Sequence, residues 1–176
     1  VALALVVAAL PAPAGAQVHY TYLWHLEQPI YWPAPDGSGM RYQRAWESMQ
    51  AKAGGAAHPQ NDLDQIFGLD DRVAAYQWRP KDSLATLLGH DEAGVQVSYS
   101  GGLIENVQSL AANRFDEYGT GWNGHFRTAQ GWKTRQGTPR MDMVVFPFHH
   151  PLMPLNDDRV NRMEIALWKQ VAGEVW

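Results

Sequence analysis

Two short segments concentrate the side chains that can do chemistry. The first is Trp24-His25-Leu26-Glu27-Gln28-Pro29-Ile30-Tyr31-Trp32-Pro33. In extended backbone His25 and Glu27 point to the same side, because side chains alternate with a period of two. An imidazole and a carboxylate that converge at a strand end can hydrogen-bond hydroxyl groups, relay protons or hold a metal. A carboxylate there also favours the charged form of the ring. The second segment is Phe146-Pro147-Phe148-His149-His150-Pro151-Leu152-Met153-Pro154-Leu155. Pro151 and Pro154 stiffen it, so His150 is held in a defined direction. Adjacent histidines in a β-like segment face opposite ways, and His150 is the one expected to face the site. A metal centre is the competing chemistry, with His25, Glu27 and His150 as three ligands.

Other candidates are less specific. Trp122 and Trp132, in the glycine-rich stretch from Phe115 to Gly137, could act as platforms for a sugar ring, with His125 or Arg127 as polar contacts. A surface insertion packing its own aromatics accounts for them equally well. Asp62, Asp64, Asp70 and Asp71 form an acidic stretch that reads as helix starts or a solvated face rather than a Ca²⁺ site.

The elements that must position these groups alternate between strand and helix. Val18 to Trp24 reads as a strand, Pro29 to Gly39 as loop, Met40 to Ala53 as a moderate helix and Gly54 to Asp62 as loop. Pro80 suits a first helical turn, with Leu84, Leu87 and Leu88 on one face before Gly89. Val95 to Tyr99 alternates as a second strand. Gly101-Gly102 then turns into a helix carrying Leu103, Ile104, Val107, Leu110 and Ala111. Phe115 to Gly137 has no period and reads as a long loop. Met141 to Phe148 is a third strand, and Asn156, Asp157 and Asp158 offer caps to a helix whose apolar face is Val160, Met163, Leu167 and Val171. Such alternation predicts an α/β fold with a mostly parallel sheet, in which ligands sit beyond the C-terminal ends of the strands. His25, Glu27 and Gln28 follow the first strand, Tyr99 and Ser100 end the second, and His149 and His150 follow the third.

Composition narrows the function. The 176 residues are 45% hydrophobic and 18% charged, which excludes a disordered chain. Eighteen acidic against 14 basic residues, a net charge of −4, argue against a nucleic-acid partner. The absence of cysteine removes disulfides, thiolate metal sites and a cysteine nucleophile. Eight Trp and seven Tyr suit carbohydrate, whose C–H faces pack on aromatic rings. Val1 to Leu10 is apolar and Ala14-Gly15-Ala16 offers a signal-peptidase site. Residues 1–16 therefore read as part of a signal peptide, and a secreted or periplasmic location with no membrane span in the mature form is expected.

The Gln28-Pro29 dipeptide after a strand-end His, together with His150-Pro151-Leu152-Met153-Pro154-Leu155, resembles the first two conserved regions of glycoside hydrolase family 57. Glu27 stands where that family usually has His. The resemblance implies a retaining enzyme acting on α-glucan of the starch, glycogen or maltodextrin type, with residues 17–176 as the N-terminal part of a (β/α)7 TIM-like barrel. It implies that His25, Glu27, Gln28, Trp32 and His150 bind an oligo- or polysaccharide substrate, and that both catalytic carboxylates lie beyond Trp176. No metal or other cofactor is expected, since the paired aspartates and His-x-x-x-His of metal-dependent deacetylases are missing. A deacetylase-like or metal-dependent glycosidase barrel and a non-catalytic carbohydrate-binding relative are the alternatives.

Overall fold

A computed structural model describes residues 20–35, 40–56 and 62–176, with backbone alone for 32–35, 40 and 41. The leader read over residues 1–16 lies outside these. The fold is mixed α/β. Strands β1 (Leu23–Leu26), β4 (Val95–Tyr99) and β5 (Met141–Met143) form a parallel sheet in the order β1-β4-β5. Strands β2 (Trp32–Pro35) and β3 (Met40–Gln43) pair as an antiparallel hairpin. The helices are α1 (Ala45–Ala53), α2 (Leu63–Phe67), α3 (Asp70–Tyr76), α4 (Arg79–Ala85), α5 (Gly101–Ala112), α6 (Gly124–Gly131) and α7 (Asp158–Val175), with a 3-10 turn at Met153–Leu155. None of the described helices is long and apolar enough to cross a membrane.

Parallel register sorts the sheet into two faces. Trp24 pairs with Val97, Leu26 with Tyr99, and Val97 with Met143. These residues turn toward the helices, where Val97, Tyr99 and Leu26 are buried with Leu103, Ile104, Val107 and Leu110 of α5. Alternation then puts Leu23, His25, Gln96, Ser98 and Asp142 on the other face. There Leu23, His25 and Asp142 are exposed. The chemistry-bearing strand residues thus stand on the side of the sheet that helices do not cover.

Several elements differ from what periodicity predicts. The first strand begins at Leu23, because β4 offers a ladder only from Gln96, opposite Leu23, to Tyr99. Part of the stretch expected to be loop from Pro29 forms β2, and the start of the expected helix at Met40 forms β3. The helix itself is delayed to Ala45, where the Arg44 amide donates to Glu47 Oε2 at 3.1 Å. The third strand stops at Met143, and Pro147 has no N–H with which to continue a ladder. Helix α6 lies within the expected long loop. Its glycines are weak helix formers, and burial of Phe126 and Ala129 outweighs them. Helix α7 buries Trp168 and Val175 and packs Val171 of the predicted stripe against the core, while Val160, Met163 and Leu167 are exposed. Both stripes are apolar, so the period alone does not choose between them. The Trp168 indole decides it by donating to the Tyr99 carbonyl at 2.6 Å. Asp62 precedes α2, and Asp64, Asp70 and Asp71 lie in first turns, as helix starts.

One side chain ties two loops together. Arg140 is buried and donates from Nε to the Lys133 carbonyl at 2.8 Å, and from one terminal nitrogen to His90 and Ala93 at 2.7 and 3.0 Å. No carboxylate pairs with it among the described residues. Gly94 allows the approach, since a Cβ there would meet the Arg140 carbonyl at 2.9 Å.

Candidate functional site

Because the three strands are parallel, the segments that follow them emerge at one edge of the sheet. The first carries Glu27 to Tyr31, the second leads through Ser100 into α5, and the third carries Val144 to Pro151. Ser100 caps α5 by accepting from the Leu103 amide at 3.2 Å, and its hydroxyl lies 3.4 Å from both the amide and the carbonyl of Gln28. Two glycines then bring the outer segments together. The Gly101 amide donates to the Phe148 carbonyl at 2.9 Å, and a Cβ on Gly101 would sit 2.0 Å from the Phe148 ring. A Cβ on Gly102 would meet the Gln28 carbonyl at 2.8 Å. Buried Asn106 fixes the same turn, donating to the Pro29 carbonyl at 3.2 Å and accepting from the Ala45 amide at 2.8 Å.

On this support His25 and His150 meet. Their ring centroids are 4.7 Å apart, and Phe146 closes a three-ring cluster at 5.0 Å from His25 and 4.8 Å from His150. Ser98, opposite His25 in the register, places its hydroxyl 2.8 Å from His25 Nδ1. His150 has φ +55°, a left-handed conformation rarely adopted by residues with a Cβ, and it precedes a proline, which adds its own restriction. The adjacent histidine diverges, although through a tight turn rather than β alternation. His149 turns to α7, where its Nδ1 lies 2.8 Å from Glu164 Oε1 and its amide donates to Glu164 Oε2 at 2.8 Å.

The other expected residues are used differently. Gln28 is braced between two phenols: its Nε2 donates to Tyr76 Oη at 2.6 Å, and Tyr31 Oη donates to its Oε1. Glu27 is half-buried and its charge is felt by Tyr31 and Tyr76, with no ion pair to His25 among the described residues. The strand ends at Leu26, so the alternation that would align His25 with Glu27 does not reach position 27. Trp32 lies on β2, where the backbone alone is described. His25, Glu27 and His150 do not make a three-donor metal set, and no group of three or more such donors occurs among the described residues. Trp122 is no platform: it is buried, and its indole donates to Gln108 Oε1 at 2.9 Å. Trp132 is half-buried against the core, His125 packs on Trp78, and Arg127 donates to the Trp176 carbonyl.

Burial raises the Tyr31 phenol to about 12, with neighbouring Tyr76 adding to it. Burial likewise raises Tyr76, Tyr99 and Tyr118. A phenol whose folded pKa exceeds its unfolded value contributes stability that is complete below the unfolded value and lost as pH rises through the folded one. Folding stability is therefore expected to hold up to pH ~10 and to fall steeply toward pH ~12. Urea denaturation at a series of alkaline pH values measures this, and a flat profile across that window would contradict the buried phenol cluster.

No protein-family model matches the chain, and no solved structure matches it at a significant level. One relative is informative. The chain is similar to a protein of Niallia circulans named alpha-amylase, 28% identical over 178 aligned positions covering 86% of this chain. It spans 14% of that relative's length. Sequence reasoning overlooked Ser98, Phe146 and Tyr76 as partners of the site. Ser98 had a readable signal, since a hydroxyl near the end of a strand expected in a covered parallel sheet needs a partner.

Proposed function

We propose that this chain belongs to a carbohydrate-active enzyme, a retaining glycoside hydrolase or glucanotransferase of the family 57 type, acting on α-glucan. In this reading the three parallel strands are part of a (β/α)7 TIM-like barrel, and residues 1–16 direct export to the periplasm or beyond. The observation that carries it is the meeting of His25 and His150 at the C-terminal edge of the sheet. Each comes from one of the two segments that resemble that family. The name of the Niallia circulans relative supports an α-glucan substrate.

Chemically, retention needs two carboxyl groups roughly 5 Å apart, one attacking the anomeric carbon and one protonating the leaving oxygen. The reading assigns those carboxyls to segments outside residues 1–176. This chain contributes the wall of a subsite. His25 and His150 hydrogen-bond sugar hydroxyls and fix the ring, Phe146 offers an apolar surface beside them, and the phenol-braced Gln28 turn holds that edge of the wall. The test is an assay of the protein expressed from its complete open reading frame on soluble starch and maltodextrins, with the anomer of the first product followed by NMR. Release of α-anomer is expected, and His150→Ala should lower kcat/KM at least about tenfold, the worth of one lost subsite contact. Starch and maltodextrins left intact by the wild-type protein would overturn the reading.

A further inference from the structure

We infer that Ser98 is a positioning residue that fixes the tautomer of His25, so that the ring presents Nε2–H as a hydrogen-bond donor toward a ligand oxygen. Ser98 lies at 0% exposure on β4, the middle strand, opposite His25 of β1. A serine in the interior of a central strand is a poor choice for packing alone, because its hydroxyl must be satisfied without water. Among the described residues the hydroxyl has one partner, His25 Nδ1 at 2.8 Å. A hydroxyl can donate or accept. With a single partner among the described residues, its proton goes to Nδ1, and accepting from Nδ1–H would leave that proton buried without a partner among them. Nδ1 is therefore the acceptor, and in the neutral ring the proton resides on Nε2.

The geometry of the sheet makes this useful. His25 is exposed on the uncovered face, so packing from helices does not orient its ring. The Ser98 hydroxyl from below and the edge of Phe146 at 5.0 Å define its plane instead. A fixed donor suits the ether and hydroxyl oxygens of a sugar, whereas a ring free to exchange tautomers would offer donor and acceptor in turn. The ligand class rests on the proposed α-glucan reading; the tautomer does not.

The experiment therefore has two arms. In the first, the full chain is labelled with ¹⁵N in its histidine rings, and long-range ¹H–¹⁵N spectra are recorded at a pH raised until the ring signals stop shifting, where the rings are neutral. His25→Gln assigns the His25 signals by their loss. A pure Nε2–H pattern in the wild type, averaged toward both tautomers in Ser98→Ala and retained in Ser98→Thr, is the expected result. An Nδ1–H or already averaged pattern in the wild type overturns the inference without any need of a variant. The second arm measures kcat/KM on maltodextrins with protein from the complete open reading frame. Ser98→Ala should lose about tenfold, equivalent to one hydrogen bond, and Ser98→Thr should stay within about twofold. Equal losses in both variants would overturn the positioning role. If the wild type leaves maltodextrins intact, the substrate reading fails while the ring spectra still decide the tautomer.

Discussion

Replacing Arg140 with alanine is expected to lower the melting temperature of this chain by about 10 °C. The figure comes from about 3–5 kcal/mol for losing a buried, multiply bonded cation, at roughly 2–4 °C per kcal/mol for a domain of this size. The guanidinium holds carbonyls from the turn after α4 and from the segment before β5. Alanine removes these bonds at once and takes their donor from the Lys133 and Ala93 carbonyls, while His90 still accepts from the Ala93 amide. Its effect propagates to β5, whose first residue follows directly, and Val95 at the start of β4 donates to the Arg140 carbonyl at 2.8 Å. Lysine keeps the charge but not the planar fork, and should recover less than half of the loss. Thermal and urea denaturation measure both. A shift below about 2 °C for the alanine variant would mean that the loops are held by something other than this side chain.

The second large effect is expected from a single methyl group on Gly101. Helix propensity alone favours alanine over glycine by up to ~1 kcal/mol. Contact with Phe148 reverses the sign, because the new Cβ would sit 2.0 Å from a buried ring whose backbone is pinned to the Gly101 amide. Phe148 must turn out or the whole Pro147–His150 turn must move, and the cost is about 1–3 kcal/mol. His150 would move with it, separating its ring from His25. On the α-glucan reading proposed above, Gly101→Ala should therefore weaken maltodextrin binding by about tenfold or more, since displacing one positioned contact costs at least that. Calorimetric titration of maltodextrin into protein from the complete open reading frame reads the affinity. Adding Phe148→Leu to Gly101→Ala makes room for the methyl and should restore part of both stability and binding. If Gly101→Ala instead raises stability and leaves binding unchanged, the close packing of these two segments is refuted.

What the sequence revealed of this molecule follows from where physical signals are local. Val95 to Tyr99 and the helix body from Leu103 to Ala111 were legible because alternation and a clear 3.6-residue period mark them, whereas Gly101 and Gly102 read as a turn and belong to the first helical turn capped by Ser100. The β2–β3 hairpin was hidden, since Trp32-Pro33-Ala34-Pro35 reads as loop by its prolines and gains strand geometry from pairing with Met40–Gln43. Helix α6 was hidden by its glycines. For the site, proximity of His25 and His150 was readable from the α/β pattern, which gathers strand-end residues at one edge. The bracing of Gln28 by Tyr31 and Tyr76 was not, because Tyr76 arrives from α3, a helix whose packing no local period announces. The divergence of His149 was predicted, but through an extended segment; the turn and the left-handed His150 depend on Gly101 leaving room for Phe148.

The contact between His25 and Ser98 joins residues 73 positions apart, and His150 arrives later still. Parallel pairing of this kind closes long loops before it returns any energy, so it is slow. On the ribosome, at roughly 5–20 residues per second, His25 emerges on the order of ten seconds before the residue that completes its ring cluster. Until β4 emerges, the β1 segment, with Tyr20, Tyr22 and Leu23 all exposed even in the folded chain, has neither ladder nor partner. A holdase chaperone that covers the exposed β1 segment acts in that interval.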